Sequence, residues 1–172
     1  MEYTKFYSQP KQYESSLINY QIAELLDIGP RNVSGNKETL SINMEHVHTF
    51  VESKASEPHL PVSKILSQDQ LSPLYKGLDI IVNTLIEEGY YHPDITIGNI
   101  GFRIIDSTPV PVLLDFDELV KFNNVVNCKD ILTQVIVEYK LGIKYNKVTE
   151  KQMVEDMLYR ISLVKQQLSE LF

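Results

Sequence analysis

The feature that most constrains this chain is an abrupt change of hydrophobic period at Gly89. Before it, Leu78, Ile81, Val82, Leu85 and Ile86 recur at helical spacing and form one apolar stripe. Ser72-Pro73 offers an N-cap followed by proline at the first helical position, and Gly89 can end the helix, so the pattern predicts a helix over 73–89. After it, Ile100–Ile105 and Val110–Leu114 are short runs rich in β-branched residues on either side of Asp106-Ser107-Thr108-Pro109. That predicts a β-hairpin. An amphipathic helix followed at once by a hairpin makes the expected fold class α+β.

The flanking segments extend the pattern. Glu14, Ile18, Ile22 and Leu25 recur at helical spacing and stop at Gly29-Pro30, which predicts a helix over 12–27. Residues 39–44 alternate with period two and are reached through a turn at Ser34-Gly35-Asn36, which predicts a strand beside that helix. Residues 51–73 are polar, carry three prolines and lack periodicity, as a connector does. Toward the C-terminus, Asp130 can cap a helix containing Leu132, Val135, Ile136 and Tyr139 and closed by Gly142. Thr149 with Gln152 makes a capping box for a helix whose Met153, Met157, Ile161, Val164, Leu168 and Leu171 share one face. There is no repeat, low-complexity tract or Gly/Ser linker. Residues 1–172 therefore read as one domain, with a small N-terminal region (1–50), the connector and a mainly helical region (74–172).

Charge and cysteine usage exclude several function classes. Sixteen Lys plus Arg against 23 Asp plus Glu give a net charge of −7, with no basic stripe, so nucleic acid is not an expected partner. The single Cys128 cannot form an internal disulfide, and one thiol with four scattered histidines does not supply a structural zinc quartet. No apolar run approaches the roughly 20 residues of a membrane span, and the N-terminus has no secretory apolar region. The expected location is the cytoplasm.

The polar residues between helix and hairpin carry the chemistry. His92-Pro93-Asp94 is followed five residues later by Asn99 in Gly98-Asn99, and the second hairpin strand runs into Asp115-Phe116-Asp117. These segments resemble the catalytic loop and the metal-binding Asp-Phe-Gly of the protein-kinase-like superfamily, and the order of elements around them is similar. The resemblance implies a minimal kinase-like fold with a reduced N-terminal lobe and a mainly helical C-terminal lobe. It implies ATP and Mg²⁺, with Asn99 and Asp115 as metal ligands. Asp94 would accept or orient the acceptor hydroxyl, and His92 would brace the loop. Asp130 would brace the catalytic loop from the next helix. In this family a strand lysine held by a helix glutamate contacts the nucleotide phosphates. Lys5, with Lys11 as its rival, and Glu14 occupy comparable places. Glu14 lies eleven residues before Leu25, close to a whole number of turns, so the two share a face. Met44-Glu45-His46-Val47 would be the segment whose backbone reads the adenine edge, with Glu45 and Val47 as its contacts.

Departures from the family pattern bear on function. Four residues precede Lys5, too few for a Gly-rich phosphate loop. Pro93 replaces the usual arginine, Asp117 replaces the glycine after Phe116, and fifteen positions from Asp115 to Asp130 leave little platform for a peptide substrate. Gly98-Asn99 and Asp117 lean toward the small-molecule kinases of the superfamily. Two expectations follow. One is a phosphotransferase acting on a hydroxyl acceptor, protein or small molecule. The other is a pseudokinase that binds a protein partner, which completes or uses the reduced N-terminal lobe.

Overall fold

A computed structural model describes residues 2–51, 66–122 and 150–172. The fold is α+β. In the N-terminal region β1 (Glu2–Phe6), β2 (Ser34–Asn36) and β3 (Ser41–Glu45) form an antiparallel sheet in the order β1-β3-β2. Glu2 pairs with Glu45 and Phe6 with Ser41. Helix α1 (Pro10–Leu25) carries its proline in the first turn, where the missing N–H is no loss. Ser34-Gly35-Asn36, expected as a turn, is instead a short strand on β3. The turn falls at 37–40, because the Asn36 side chain accepts the backbone N–H groups of Glu38 and Thr39 and Leu40 takes φ 48°.

The helix over 73–89 exists but starts earlier. A 3-10 turn at Gln68–Gln70 leads into α2 (Leu71–Glu88), and the Ser67 N–H donates to Gln70 Oε1 at 2.9 Å. Ser72-Pro73 thus lies inside the first turn rather than at the cap. Gly89 ends the helix at φ +77°, a conformation that a side chain would strain. Leu74, Leu78, Ile81, Val82 and Leu85 face inward.

Beyond α2, β4 (His48–Thr49), β6 (Ile100–Ile105) and β7 (Thr108–Leu113) form a second sheet in the order β4-β6-β7. β5 (Tyr90–Tyr91) pairs with β8 (Val120–Lys121). The hairpin turn is two residues, Asp106 at φ 48° and Ser107 at φ 65°. This is the geometry that suits the twist of the flanking strands. The second strand therefore begins at Thr108 and takes in Pro109 and Pro111, which an outer strand tolerates. Helix α3 (Glu150–Glu170) buries Met153, Met157, Ile161, Val164 and Leu168 and packs on α2. The connector at 52–65 and the helix expected from Asp130 to Gly142 lie outside the described residues, as does Thr149.

One buried cluster joins these elements, with Tyr20, Ile42, Leu74, Leu85, Tyr91, Phe102, Phe116 and Met157 among its members. Two further contacts tie the hairpin to β3 and to the residues that follow it. Arg103 Nε and one terminal nitrogen each bond Glu45 at 2.8 Å, and that terminal nitrogen also reaches the Gly29 carbonyl at 3.1 Å. Gly101 packs so closely that a Cβ there would lie 2.6 Å from the His48 carbonyl and 2.6 Å from Val47.

Candidate functional site

Local hydrogen bonds shape the loop between α2 and the hairpin. His92 is almost fully buried, and burial lowers its pKa against the opposing pull of the Leu114 carbonyl and nearby carboxylates, so the imidazole is neutral. Its Nδ1 accepts the Asp94 N–H at 3.1 Å, which places the proton on Nε2 to donate to the Leu114 carbonyl at 2.9 Å. His92 thus fastens the loop to the strand leading to Asp115. The Asn99 amide nitrogen donates to both the carbonyl and the carboxylate of Asp94, each at 3.0 Å. That leaves the Asn99 side-chain oxygen without a protein partner among the described residues.

The second group comes from segments more than a hundred positions apart. Lys5 Nζ lies 3.2 Å from Asp115 Oδ1 and 2.5 Å from Asp117 Oδ2. Asp117 Oδ1 accepts the Tyr7 hydroxyl at 2.7 Å, and the Asp117 carbonyl accepts the Asn19 amide at 3.4 Å. Burial works against the Lys5 charge, but Tyr20, Asp115 and Asp117 outweigh it and hold the ammonium pKa above its ordinary value. Burial also pushes the Tyr7 and Tyr20 phenols up. Asp115 sits at φ 58°, a left-handed conformation that aspartate tolerates better than most residues and that Asp106 in the hairpin turn also adopts. Between the two carboxylates, Phe116 is fully buried and packs edge-on with Tyr20 (5.7 Å) and His92 (5.3 Å), so α1, the loop between α2 and the hairpin, and the Asp115 turn share one aromatic column.

Members of both groups border a cleft of about 310 Å³. Lys5, Tyr20, Asn99, Leu114 and Asp115 line one part of its wall, and Tyr3, Met44, Glu45, His46, Val47 and Thr49 another. The Glu45 N–H is already bonded to the Arg31 carbonyl at 2.8 Å, and its side chain is tied to Arg103, so neither is free for a ligand. Burial raises the Glu45 pKa, but the hydrogen bonds from Arg103 and the Arg31 backbone, with their charges, hold the carboxyl below its ordinary range.

The expected residues fall into two groups. Lys5, Asn99, Asp115, Glu45 and Val47 all border the cleft; Asp94 is not among its lining residues but is joined to Asn99, which is. Glu14 does not pair with Lys5. It is exposed, because α1 turns Tyr13, Ser16, Tyr20 and Ala23 inward and leaves Ile18 (57%) and Leu25 (84%) to solvent. Lys11 is likewise exposed. Glu14 and Leu25 do share a face, but it is the outer one. The residues that the sequence reading missed are Asp117 and Tyr7 as partners of Lys5, and Arg103. A lone charge within the apolar run Ile100–Ile105 was the available signal for Arg103, since a buried charge requires a partner.

A metal fits the donor set in a limited sense. Asp115 and Asn99 offer oxygen ligands, the hard donors Mg²⁺ prefers, and Mg²⁺ commonly takes one or two protein oxygens with phosphate and water completing its shell. Among the described residues no group of three or more His, Cys, Asp or Glu side chains is arranged to hold an ion. Nor is any described helix long and apolar enough to cross a membrane.

No known family model matches the chain, and no curated protein matches it. Among solved structures it is similar to Rio2 kinase from Chaetomium thermophilum in its ADP/Mg²⁺-phosphoaspartate complex, with a TM-score of 0.40 and 16% identity. The match covers 94% of this chain and 56% of that one, so the chain spans little more than half of that structure's length. The likeness is distant, and any reading of function rests on the cleft itself.

Proposed function

We propose that the cleft binds ATP with Mg²⁺ and transfers the terminal phosphoryl group to a hydroxyl acceptor, as the resemblance of its loop segments to protein-kinase-like enzymes implies. The observation that carries this reading is the convergence of Lys5, Asn99 and Asp115 on one cleft, with Asp94 bonded to Asn99. Packing alone does not require a cation, a carboxylate and an amide, drawn from three parts of the chain, to meet there.

In this mechanism Lys5 neutralises phosphate oxygens at one end of the cleft. The backbone from Glu45 to Val47 borders the space for the base, with the Glu45 N–H already committed to the Arg31 carbonyl. Asn99 and Asp115 would hold Mg²⁺, which supplies charge neutralisation for the phosphates. Asp94 takes the acceptor's hydroxyl proton as the bond from the terminal phosphorus to the acceptor oxygen forms and the bond to the ADP oxygen breaks. The Asn99 amide holds the Asp94 carboxylate in place for that role. The few residues between Asp115 and Asp130 favour a small acceptor over an extended peptide.

Thermal unfolding with and without Mg²⁺-ATP tests the reading without knowledge of the acceptor. Ligand at about 100 times its dissociation constant stabilises by about 2.7 kcal/mol, roughly 5–10 °C for a chain of this size. Asp115→Asn is expected to abolish the rise. Asp94→Asn is expected to keep it while abolishing phosphoryl transfer. No rise at millimolar Mg²⁺-ATP overturns the proposal and favours a module that works by binding a protein.

A further inference from the structure

We infer that Asp117 is the positioning residue of Lys5, doing from the turn after β7 what a helix carboxylate would otherwise do, while Asp115 two residues earlier is left for the metal. The inference rests on the nucleotide reading of the cleft and adds a division of labour within it.

The two carboxylates differ in how they are committed. Asp117 spends both oxygens on protein groups: Oδ2 lies 2.5 Å from Lys5 Nζ, and Oδ1 accepts the Tyr7 hydroxyl at 2.7 Å. Its side chain is 16% exposed, against 44% for Asp115. Asp115 meets Lys5 through Oδ1 alone, at the longer distance of 3.2 Å, and borders the cleft, which Asp117 does not. A carboxylate with both oxygens bonded and little solvent access is poorly placed to take a hydrated cation; one with an oxygen toward the cleft is well placed. Helix α1 supplies no carboxylate to Lys5. It supplies Tyr20, whose ring centre is 5.9 Å from Nζ, and Asn19, which bonds the Asp117 carbonyl. The lysine and the metal ligand are therefore set by one three-residue segment, Asp115-Phe116-Asp117, clamped by the buried Phe116. Their spacing does not depend on a carboxylate carried by α1.

The test uses the full chain and the variants Asp117→Asn, Tyr7→Phe and Glu14→Gln. The first readout is the rate of Lys5 acylation by a small amine-reactive ester at one fixed pH in nucleotide-free protein, followed by peptide mass spectrometry and referenced to the exposed Lys11. Asp117→Asn is expected to speed Lys5 acylation about tenfold by removing the carboxylate that engages Nζ. Tyr7→Phe should speed it less, and Glu14→Gln not at all. The second readout is affinity for Mg²⁺-ATP and for adenosine. Asp117→Asn is expected to weaken ATP about tenfold or more with adenosine unchanged, a phosphate-specific loss that general loosening of the fold would not give. If Asp117→Asn is too unstable to assay, Tyr7→Phe carries the same two comparisons. An unchanged Lys5 acylation rate in both Asp117→Asn and Tyr7→Phe overturns the assignment, as does a faster rate in Glu14→Gln. Wild-type protein that binds no nucleotide defeats the proposed function instead, and the acylation rates still decide what holds Lys5.

Discussion

Arg103→Met should be among the most damaging single substitutions on the hairpin. Arg103 and Glu45 side chains are 11% and 20% exposed and joined by two 2.8 Å bonds, and Arg103 also satisfies the Gly29 carbonyl. Removing one partner of a fully buried pair costs about 3–5 kcal/mol, and the partial solvent access of Glu45 brings the expected loss to about 2–3 kcal/mol. Methionine keeps the apolar stem, so the loss reports the charge and its bonds rather than a cavity. For a chain of this size each kcal/mol moves the midpoint by about 2–4 °C, so thermal unfolding should show a fall of roughly 4–12 °C. A double-mutant cycle with Glu45→Gln should return a coupling of about 1–3 kcal/mol. The difference must also depend on pH in one direction. The folded pKa of Glu45 is lowered, so its contribution is complete above the ordinary carboxylate value and is lost as the pH falls through the folded one. Wild type and Arg103→Met should therefore converge in acid. A loss below about 0.5 kcal/mol, the scale of exposed pairs, or an additive cycle, would refute the claim that this pair clasps the N-terminal sheet to the hairpin.

His92 gives a second pH signature: its folded pKa is lowered by burial, so below the ordinary value of 6.5 the unfolded chain takes up a proton that the folded chain resists. Denaturant titrations at pH 7.5, 6.5 and 5.5 should show wild-type stability falling by up to about 1.4 kcal/mol per pH unit, with a shallower slope in His92→Gln, and equal slopes would contradict the buried neutral imidazole. Gly101→Ala should cost about 1–3 kcal/mol, because its Cβ meets the His48 backbone and Val47 at 2.6 Å, whereas Gly98→Ala, with its nearest atom at 3.8 Å, should be close to neutral by the same measurement.

What the sequence determined by itself is what short range can determine. The stripe of α2, its stop at Gly89 and the existence of the hairpin follow from period and turn chemistry within a dozen residues. So does the loop from His92 to Asn99, whose His92, Asp94 and Asn99 lie close enough along the chain to bond one another. The tertiary structure decided which face of α1 is buried. Apolar residues lie on both sides of that helix, and the face carrying Tyr13 and Tyr20 goes inward since those large rings fill the space around Phe116 and Tyr7. That choice put Glu14 in solvent and removed it from Lys5. The partners of Lys5 and of Glu45 were likewise beyond the sequence. A contact spanning 112 positions, such as Lys5 to Asp117, leaves no trace in local periodicity, and burial decides which of several nearby carboxylates an ammonium meets.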